Sequence, residues 1–241
     1  MSDLLLLVLV GGTAVLVGAV VQGTAGFGLA VVAAPVLALV APELVPVTLI
    51  LTTAALPLLS WARERSHVDW RGVGWLLVGR LPGTAAGTVA VALLPPRELG
   101  LLVALAVGVA VVASLTRWRP RPTRPALLVT GLVSGALGTS TSIGGPPVAL
   151  LYSGESGPRL RATLAAYFSI GVALSLVALA AAGQVGREEL LAAALLLPAL
   201  VVGFALSGPL RAHLDARGSR TAVLVLCSLS AVALAARSLA A

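Results

Sequence analysis

The chain has 241 residues, of which 59% are hydrophobic and only 10% are charged. A soluble domain carries about 25% charged residues, so this composition excludes a water-soluble protein. Several apolar runs are long enough to cross a bilayer as helices. The formal net charge is +7, but the cationic side chains are all arginines, most of them in short loops, so we expect no nucleic-acid partner. The sequence predicts an all-α polytopic membrane protein whose partner is the lipid bilayer.

Ten apolar segments follow one another along the chain, and a basic, proline-rich stretch, "RWRPRPTRP" (Arg117 to Pro125), divides them into two groups of five. This predicts a first transmembrane repeat at 1–116, a cytoplasmic linker at 117–125 and a second repeat at 126–241. The segments are Leu4–Val21, Leu29–Ala41, Leu44–Trp61, Val73–Leu94 and Leu99–Leu115, then Ala126–Leu137, Val148–Tyr152 with its flanks, Ala162–Ala182, Leu190–Leu210 and Thr221–Ala236.

The two halves resemble each other in two places. "LPGTAAG" (Leu81 to Gly87) matches "LPALVVG" (Leu197 to Gly203), and two glycine-rich stretches occupy similar positions. We call "QGTAGFG" (Gln22 to Gly28) the first glycine break and "TSTSIGG" (Thr139 to Gly145) the second. The short segment after each break cannot cross the membrane comfortably. Each repeat is therefore predicted to hold a re-entrant or broken helical hairpin followed by three transmembrane helices.

Arginine placement predicts the orientation of these segments. With three full crossings per half, loops 62–72, 117–125, 154–161 and 211–220 share one side and hold twelve arginines, whereas the opposite side holds three. This asymmetry predicts that the first side is cytoplasmic, that both termini lie outside the inner (plasma) membrane, and that the second repeat is inverted relative to the first. Inverted repeats with broken helices are typical of transporters. The twelve are Arg63, Arg65, Arg71, Arg117, Arg119, Arg121, Arg124, Arg159, Arg161, Arg211, Arg217 and Arg220; the three are Arg97, Arg187 and Arg237.

The glycine breaks are candidate binding elements. In lipid, irregular backbone is tolerated only where it is buried in protein or lines a cavity, and helix N-termini with free N–H groups favour anions. Because the break occurs twice, we predict a small anionic substrate near the membrane midplane; the alternative is close packing of small residues between helices without a ligand. The candidate residues are Gln22, Gly23, Thr24, Gly26, Phe27 and Gly28, together with Thr139, Ser140, Thr141, Ser142, Gly144 and Gly145.

Arg80 is the remaining candidate for substrate binding. It lies nine positions beyond the loop residue Arg71, which places it about 13 Å along a helix and near the middle of the membrane. An arginine at that depth is costly and is a functional-site candidate, because its planar fork matches the oxygens of carboxylates and other small oxyanions. The alternative is that its side chain snorkels to the cytoplasmic interface.

These motifs resemble the TauE/SafE family of sulfite exporters, also called the toluene sulfonate uptake permease family. The matching residues are "VQGTAGFGLAVVAAPVLAL" (Val21 to Leu39), "GLVSGALGTSTSIGGPPVALLY" (Gly131 to Tyr152) and "RATLAAYF" (Arg161 to Phe168). The resemblance spans essentially the whole chain. It implies transport of a small sulfur oxyanion or organosulfur compound.

The predicted function is a secondary transporter, acting as an exporter by alternating access, for sulfite or an organosulfonate. The sequence has no histidine or carboxylate within its apolar segments and no cluster with metal-ligand spacing, so we expect no catalytic residues, metal or cofactor and predict that the protein is not an enzyme. The alternatives are a transporter of a small carboxylate, an intramembrane enzyme, or a scaffold. Whether the protein forms a homo-oligomer stays open.

Overall fold

A computed structural model describes residues 5–25, 28–63, 67–115, 120–210, 228–229 and 231–239. Within these ranges all the regular structure is helical. A π-helical turn, Leu7–Gly11, leads into the first α-helix, and residues 231–239 are helical at the other end. The α-helices are α1 (Gly12–Ala25), α2 (Leu29–Val40), α3 (Val47–Thr53), α4 (Ala55–Arg63), α5 (Trp70–Leu93), α6 (Pro96–Leu115), α7 (Arg124–Thr141), α8 (Gly145–Leu151), α9 (Gly157–Ala181) and α10 (Arg187–Leu210).

Four helices are long and apolar enough to cross a membrane, namely α5, α6, α9 and α10. Large apolar side chains on their outer faces are exposed, among them Leu93, Val112 and Val177, as expected for surfaces that contact lipid. The predicted polytopic, all-helical membrane protein is therefore confirmed. The segment predicted at Thr221–Ala236 falls largely outside the described residues.

Two short helices follow the two glycine breaks, as the sequence predicted. Helix α2 has 12 residues and α8 has seven, lengths of about 18 Å and 10 Å against a hydrocarbon core of about 30 Å. Each packs against the helix that precedes it, α2 against α1 and α8 against α7. Each pair forms a helical hairpin that meets at a glycine break.

The third predicted segment, Leu44–Trp61, is not one continuous helix. It divides into α3 and α4 at Ala54. Pro57 explains the break, because proline lacks an N–H group and its ring collides with the carbonyl four residues earlier, here that of Thr53. The apolar helical stretch Val47–Ala62 is shorter than the four spanning helices.

Helices α5 and α7 form a very close parallel interface. A Cβ atom added to Gly79 would collide with the carbonyl of Leu128, and one added to Gly83 would collide with the carbonyl of Leu132. Only glycine lets two helix backbones approach so closely, which is how small residues drive helix association in membranes. The two repeats predicted from the sequence therefore pack closely against each other through α5 of the first and α7 of the second.

A second parallel interface, between α10 and α1, has the reciprocal arrangement. A Cβ atom on Gly203 would collide with the carbonyl of Leu16, and Gly12 lies against Ala199. Gly203 belongs to the "LPALVVG" stretch of α10, which matches "LPGTAAG" of α5. In both interfaces a long helix from one half packs through glycine against the first arm of the other half's hairpin.

A polar cluster joins the start of α5 to the loop between α8 and α9. The Asp69 carboxylate accepts hydrogen bonds from the Gly72 N–H (3.1 Å) and the Tyr152 hydroxyl (2.9 Å), and it lies 3.7 Å from Arg159. The Asp69 N–H also donates to the Thr163 hydroxyl at 3.1 Å. Burial and the hydrogen bond to Asp69 raise the pKa of Tyr152 well above its usual range, so its phenol stays protonated and donates. Asp69 therefore caps α5 and ties it to α9.

Side-chain contacts group the loops at two ends of the helices. The Asp69 cluster brings loops 62–72 and 154–161 together, and Arg124 at the start of α7 lies over the Trp75 ring at 5.4 Å. At the other end, Arg97 donates to the carbonyl of Ser238 at 2.6 Å. These contacts agree with the predicted grouping for the arginines they involve. Loop 211–220 lies outside the described residues.

Candidate functional site

The second glycine break is shorter than the sequence suggested. Helix α7 continues through Thr141 and ends only at Ser142, whose φ of 66° is left-handed. Thr139, Ser140 and Thr141 therefore lie in the helix. The helix can continue because the Ser140 and Thr141 hydroxyls donate to carbonyls one turn earlier, at 2.8 and 2.6 Å, an arrangement that satisfies hydroxyl groups within a helix.

The non-helical part of this break is held by two hydroxyl groups. Ser142 donates to the carbonyl of Pro46 at 3.0 Å, which attaches the break to the first half of the chain. Ser134 donates to the carbonyl of Gly144 at 2.7 Å. A Cβ atom on Gly144 would lie 2.8 Å from the Ser134 carbonyl oxygen, so this close approach needs glycine.

The first glycine break is bridged by Gln22. Its Oε1 accepts a hydrogen bond from the N–H of Leu29 at 3.2 Å, across the gap between α1 and α2. Gly28 has a φ of 121°, a conformation that side-chain-bearing residues rarely adopt. Glycine is therefore required here by the backbone itself.

Of the other predicted residues of the first break, the structure describes only Gly23 and Thr24. Gly23 packs against α10, where an added Cβ atom would collide with the Ser207 hydroxyl. Thr24 lies in the last turn of α1. Gly26 and Phe27 lie outside the described residues.

One cavity of about 80 Å³ lies between the two breaks. A void of that size holds several water molecules. Five of the predicted site residues line it, Gln22 and Gly28 from the first break and Ser142, Gly144 and Gly145 from the second. The structure thus brings the two breaks to one place, although they lie in different halves of the chain.

The cavity has further walls that the sequence did not predict. Thr53, Pro57 and Ser60 of α3 and α4 line one side, and Phe168 and Val172 of α9 line another. None of the described lining residues is charged. For the wall formed by α3 and α4, Pro57 was the one available signal, because proline marks an interruption in an apolar segment. For the wall formed by α9, "RATLAAYF" already belonged to the motifs that resemble the family, but nothing in the sequence showed which way Phe168 points.

Arg80 is buried in the protein interior, with 2% of its surface exposed. Its Nη2 donates to the Gly171 carbonyl at 3.0 Å and to the Ser175 hydroxyl at 3.1 Å, and its guanidinium lies 5.1 Å from the centre of the Tyr167 ring. The Ser175 hydroxyl in turn bonds that of Thr139 at 2.8 Å. Arg80 is therefore held inside by α9 and α7 and does not snorkel to the interface.

Arg80 is not among the residues that line the cavity. Tyr167, Gly171 and Ser175 recur every four residues and face Arg80, whereas Phe168 and Val172 face the cavity. These sets occupy neighbouring faces of one helix. The rings of Tyr167 and Phe168 also contact each other, with centroids 5.0 Å apart. One helix therefore contacts both the neutral cavity and the buried cation.

The charge on Arg80 is not compensated by the described protein. Its Nε and Nη1 are buried and have no hydrogen-bond partner, and among the described residues no carboxylate forms an ion pair with it. A guanidinium is always charged in proteins, and an unpaired buried charge is costly. A permanent cation with two unused donor nitrogens is suited to binding an anion.

Apolar spanning helices, two broken hairpins that share a cavity, and an interior cation with free donor nitrogens are features expected of a membrane transporter for anions. The chain matches the sulfite exporter TauE/SafE family over residues 10–234. It therefore belongs to this family, and the family is one of transporters rather than enzymes. The comparisons with curated proteins and with solved structures give no match.

Proposed function

We propose that this transporter exports a small sulfur oxyanion, sulfite or an organosulfonate, through a central site built by the two glycine breaks. The observation that carries the proposal is the cavity that both breaks line. Irregular backbone in a membrane is tolerated where it lines such a cavity. Packing alone would not require the breaks of both halves to meet around an open space.

The cavity offers neutral donors to an anion. Gln22 uses its Oε1 to bridge the break, which leaves its NH₂ group as the donor it can offer a ligand. Ala30 and Val31, in the first turn of α2, also line the cavity, and the N–H groups of a first turn carry the positive end of the helix dipole. Ser60 adds a hydroxyl group, whereas the hydroxyl proton of Ser142 is already donated to the Pro46 carbonyl.

Arg80 supplies the positive charge that the cavity lacks. It contacts the face of α9 next to the one that lines the cavity, and its field acts through a low-dielectric interior. Gly171 of α9 contacts it directly, since an added Cβ atom there would lie 2.5 Å from Arg80 Cζ. Movement of α9 during the transport cycle would bring the anion and the two free guanidinium nitrogens together.

Alternating access follows from an inverted repeat, with residues 1–116 and 126–241 as the two units and 117–125 as the linker. The reciprocal packing of α5 on α7 and of α10 on α1 supports this symmetry. Rocking of one unit against the other would open the central site to each side in turn. The inside-negative membrane potential drives an anion outward by about 2.3 kcal/mol per charge per 100 mV, which favours export.

The orientation is the one set by the arginines, with both termini outside the inner membrane and the linker in the cytoplasm. Thr123 lies in the linker, so a Thr123→Cys variant in a Cys227→Ser background tests it. A membrane-impermeant thiol reagent applied from outside should leave this cysteine unlabelled in intact cells. Labelling from outside would reverse the orientation.

A small carboxylate is the second candidate substrate, because a carboxylate also matches the guanidinium fork. Labelled sulfite, toluenesulfonate and a small dicarboxylate, tested as separate substrates with the same proteoliposomes, distinguish these classes. Faster uptake of the dicarboxylate than of either sulfur compound would favour the second candidate.

The proposed site is tested by flux in proteoliposomes of wild-type protein and of Gly28→Leu and Gly145→Leu variants. A leucine at either position would fill the cavity, and at Gly28 it would also strain the backbone, so flux should be lost. Gly108→Leu is the matched control, because a side chain at this exposed glycine of α6 would meet nothing within 4 Å. Full flux in both cavity variants, at equal amounts of folded protein, would reduce the breaks to packing elements.

A further inference from the structure

Two threonines on α5 remain unexplained by the proposed site. Thr84 and Thr88 are buried, with 4% and 9% of their surfaces exposed. Neither hydroxyl group has a hydrogen-bond partner within the part of the chain that the structure describes. They follow Arg80 at intervals of four residues, so the three side chains share one face of the helix. We call Arg80, Thr84 and Thr88 the α5 polar row.

These unused hydroxyls differ from several other buried hydroxyls on the helices of this chain. Thr52 and Ser169 each donate to a carbonyl one turn earlier, at 2.6 and 2.8 Å, whereas the hydroxyl of Thr48, like those of Thr84 and Thr88, has no partner among the described residues. Donation to such a carbonyl is the ordinary way in which a helix satisfies a threonine in a dry environment. Thr84 and Thr88 forgo this bond, although a buried polar group without a partner costs free energy.

The row lies at a place where other polar groups converge. Thr139 of α7 and Ser175 of α9 bond each other beside Arg80, and the position of a Cβ atom on Gly135 of α7 lies 3.0 Å from the Thr84 backbone nitrogen. The Tyr167 hydroxyl, from the residue whose ring faces Arg80, is also buried without a partner. Five of the eight buried side-chain atoms without a partner among the described residues therefore lie on or beside the α5 polar row, and the other three belong to Thr48, Trp61 and Ser153.

The row extends along the second half of α5. From Arg80 to Thr88 it extends about 12 Å at 1.5 Å per residue. It begins ten residues after the start of α5 at Trp70 and ends five residues before its end at Leu93. It therefore leads from the middle of the spanning helix toward the end opposite the Asp69 cluster, which the arginine distribution assigns to the outside.

We infer that the α5 polar row is the outward path of the transported anion, with Thr84 and Thr88 donating to it in succession after Arg80. The inference rests on the proposed transport function. In this structure the path is closed, since the free atoms of Arg80, Thr84 and Thr88 are shielded from solvent. The cavity, on the neighbouring face of α9, is then the site from which the anion enters the row.

The test compares Thr84→Val and Thr88→Val with Thr52→Val, three nearly isosteric removals of a buried hydroxyl. Thr52 is the control because its hydroxyl is already bonded within its own helix. Initial rates of labelled sulfite and toluenesulfonate flux are measured in proteoliposomes, and equilibrium binding of the same anions is measured in detergent. The two row variants should lose about tenfold to a hundredfold in flux, the factor carried by one hydrogen bond to a charged group, with binding at the cavity unchanged. Thr52→Val should match wild type.

Two further variants separate a path from a structural role. Thr84→Ser and Thr88→Ser keep the hydroxyl and should retain flux, even if the valine variants fold poorly. Equal flux in the row and control variants, or serine variants that are as impaired as valine, would overturn the inference. If the wild-type protein transports neither anion, the proposed transport function is wrong. If the wild type transports an anion and the Thr84 and Thr88 variants transport it at the same rate, only the inference about the outward path is wrong.

Discussion

Asp69 and Arg80 are charged residues at and within α5, and they differ in how many partners their charged groups have. Asp69 precedes α5 and its carboxylate has three partners, the Gly72 N–H, the Tyr152 hydroxyl and the Arg159 guanidinium. Arg80 lies within α5, and only one of its three guanidinium nitrogens has a partner. The first charge is matched by opposite charge and hydrogen bonds, and the second is left with free donors in a dry interior.

This difference in partners indicates that Asp69 stabilises the fold, whereas Arg80 lowers its stability. A capped helix end with satisfied hydrogen bonds stabilises the protein, and the Asp69 cluster connects α5, the end of α8 and α9. An unpaired buried charge destabilises it, and such local cost is typical of functional sites. The two residues should therefore respond to substitution with opposite signs.

The largest expected effect on stability is at Asp69. An Asp69→Ala variant loses the α5 cap and leaves the buried Tyr152 hydroxyl without its acceptor, which should cost about 2–4 kcal/mol. Thermal unfolding in detergent measures this, with Glu188→Ala, an exposed acid in the first turn of α10, as the control. An unchanged unfolding temperature for Asp69→Ala would show that the cluster does not hold the helices together.

Arg80→Met should have the opposite sign. Methionine keeps an unbranched side chain and removes the unpaired charge, so we expect stabilisation of about 1–4 kcal/mol, the range for replacing buried charged groups by apolar ones, together with loss of flux. Arg187→Met, at an exposed position, should change neither property. If Arg80→Met lowered the unfolding temperature, the described interactions of Arg80 would be structural and the contrast with Asp69 would disappear.

A smaller effect is expected at Gly171, which sets the position of Arg80. The Cβ atom of a Gly171→Ala variant would lie 2.5 Å from Arg80 Cζ, so the guanidinium must move. The apparent affinity for sulfite should fall about tenfold, which is about 1.4 kcal/mol, while the protein stays folded. Gly74→Ala is the control, since a side chain there meets nothing within 4 Å. Unchanged affinity would mean that the exact placement of Arg80 is unimportant.

The sequence predicted the hairpins well, because glycine and proline restrict the backbone locally. It located the short helices after each break, and it placed Arg80 within a spanning helix, where the side chain is buried. It extended the second break too far, since Thr139, Ser140 and Thr141 are helical. A hydroxyl group without a partner is costly in an apolar environment, but Ser140 and Thr141 donate theirs to carbonyls of the same helix.

Long-range packing decided what the sequence could not predict. The cavity walls at Thr53, Ser60 and Phe168 depend on how α3, α4 and α9 assemble around the breaks. Likewise, no sequence pattern showed that the cavity and Arg80 would contact neighbouring faces of α9, because the direction of a side chain on an apolar helix depends on its neighbours. Pro57 alone carried a local indication of an interruption.

The central claim is that the unpaired charge of Arg80 serves the transported anion. It is tested most directly by initial flux against sulfite concentration for wild type, Arg80→Gln and Arg80→Lys, each normalised to folded protein. The account predicts that Arg80→Gln weakens apparent affinity about tenfold to a hundredfold, through loss of charge-assisted hydrogen bonds. Arg80→Lys should recover only part of it, because an ammonium lacks the planar fork. Equal apparent affinities for the three proteins would contradict the account and leave the neutral cavity to bind the anion alone.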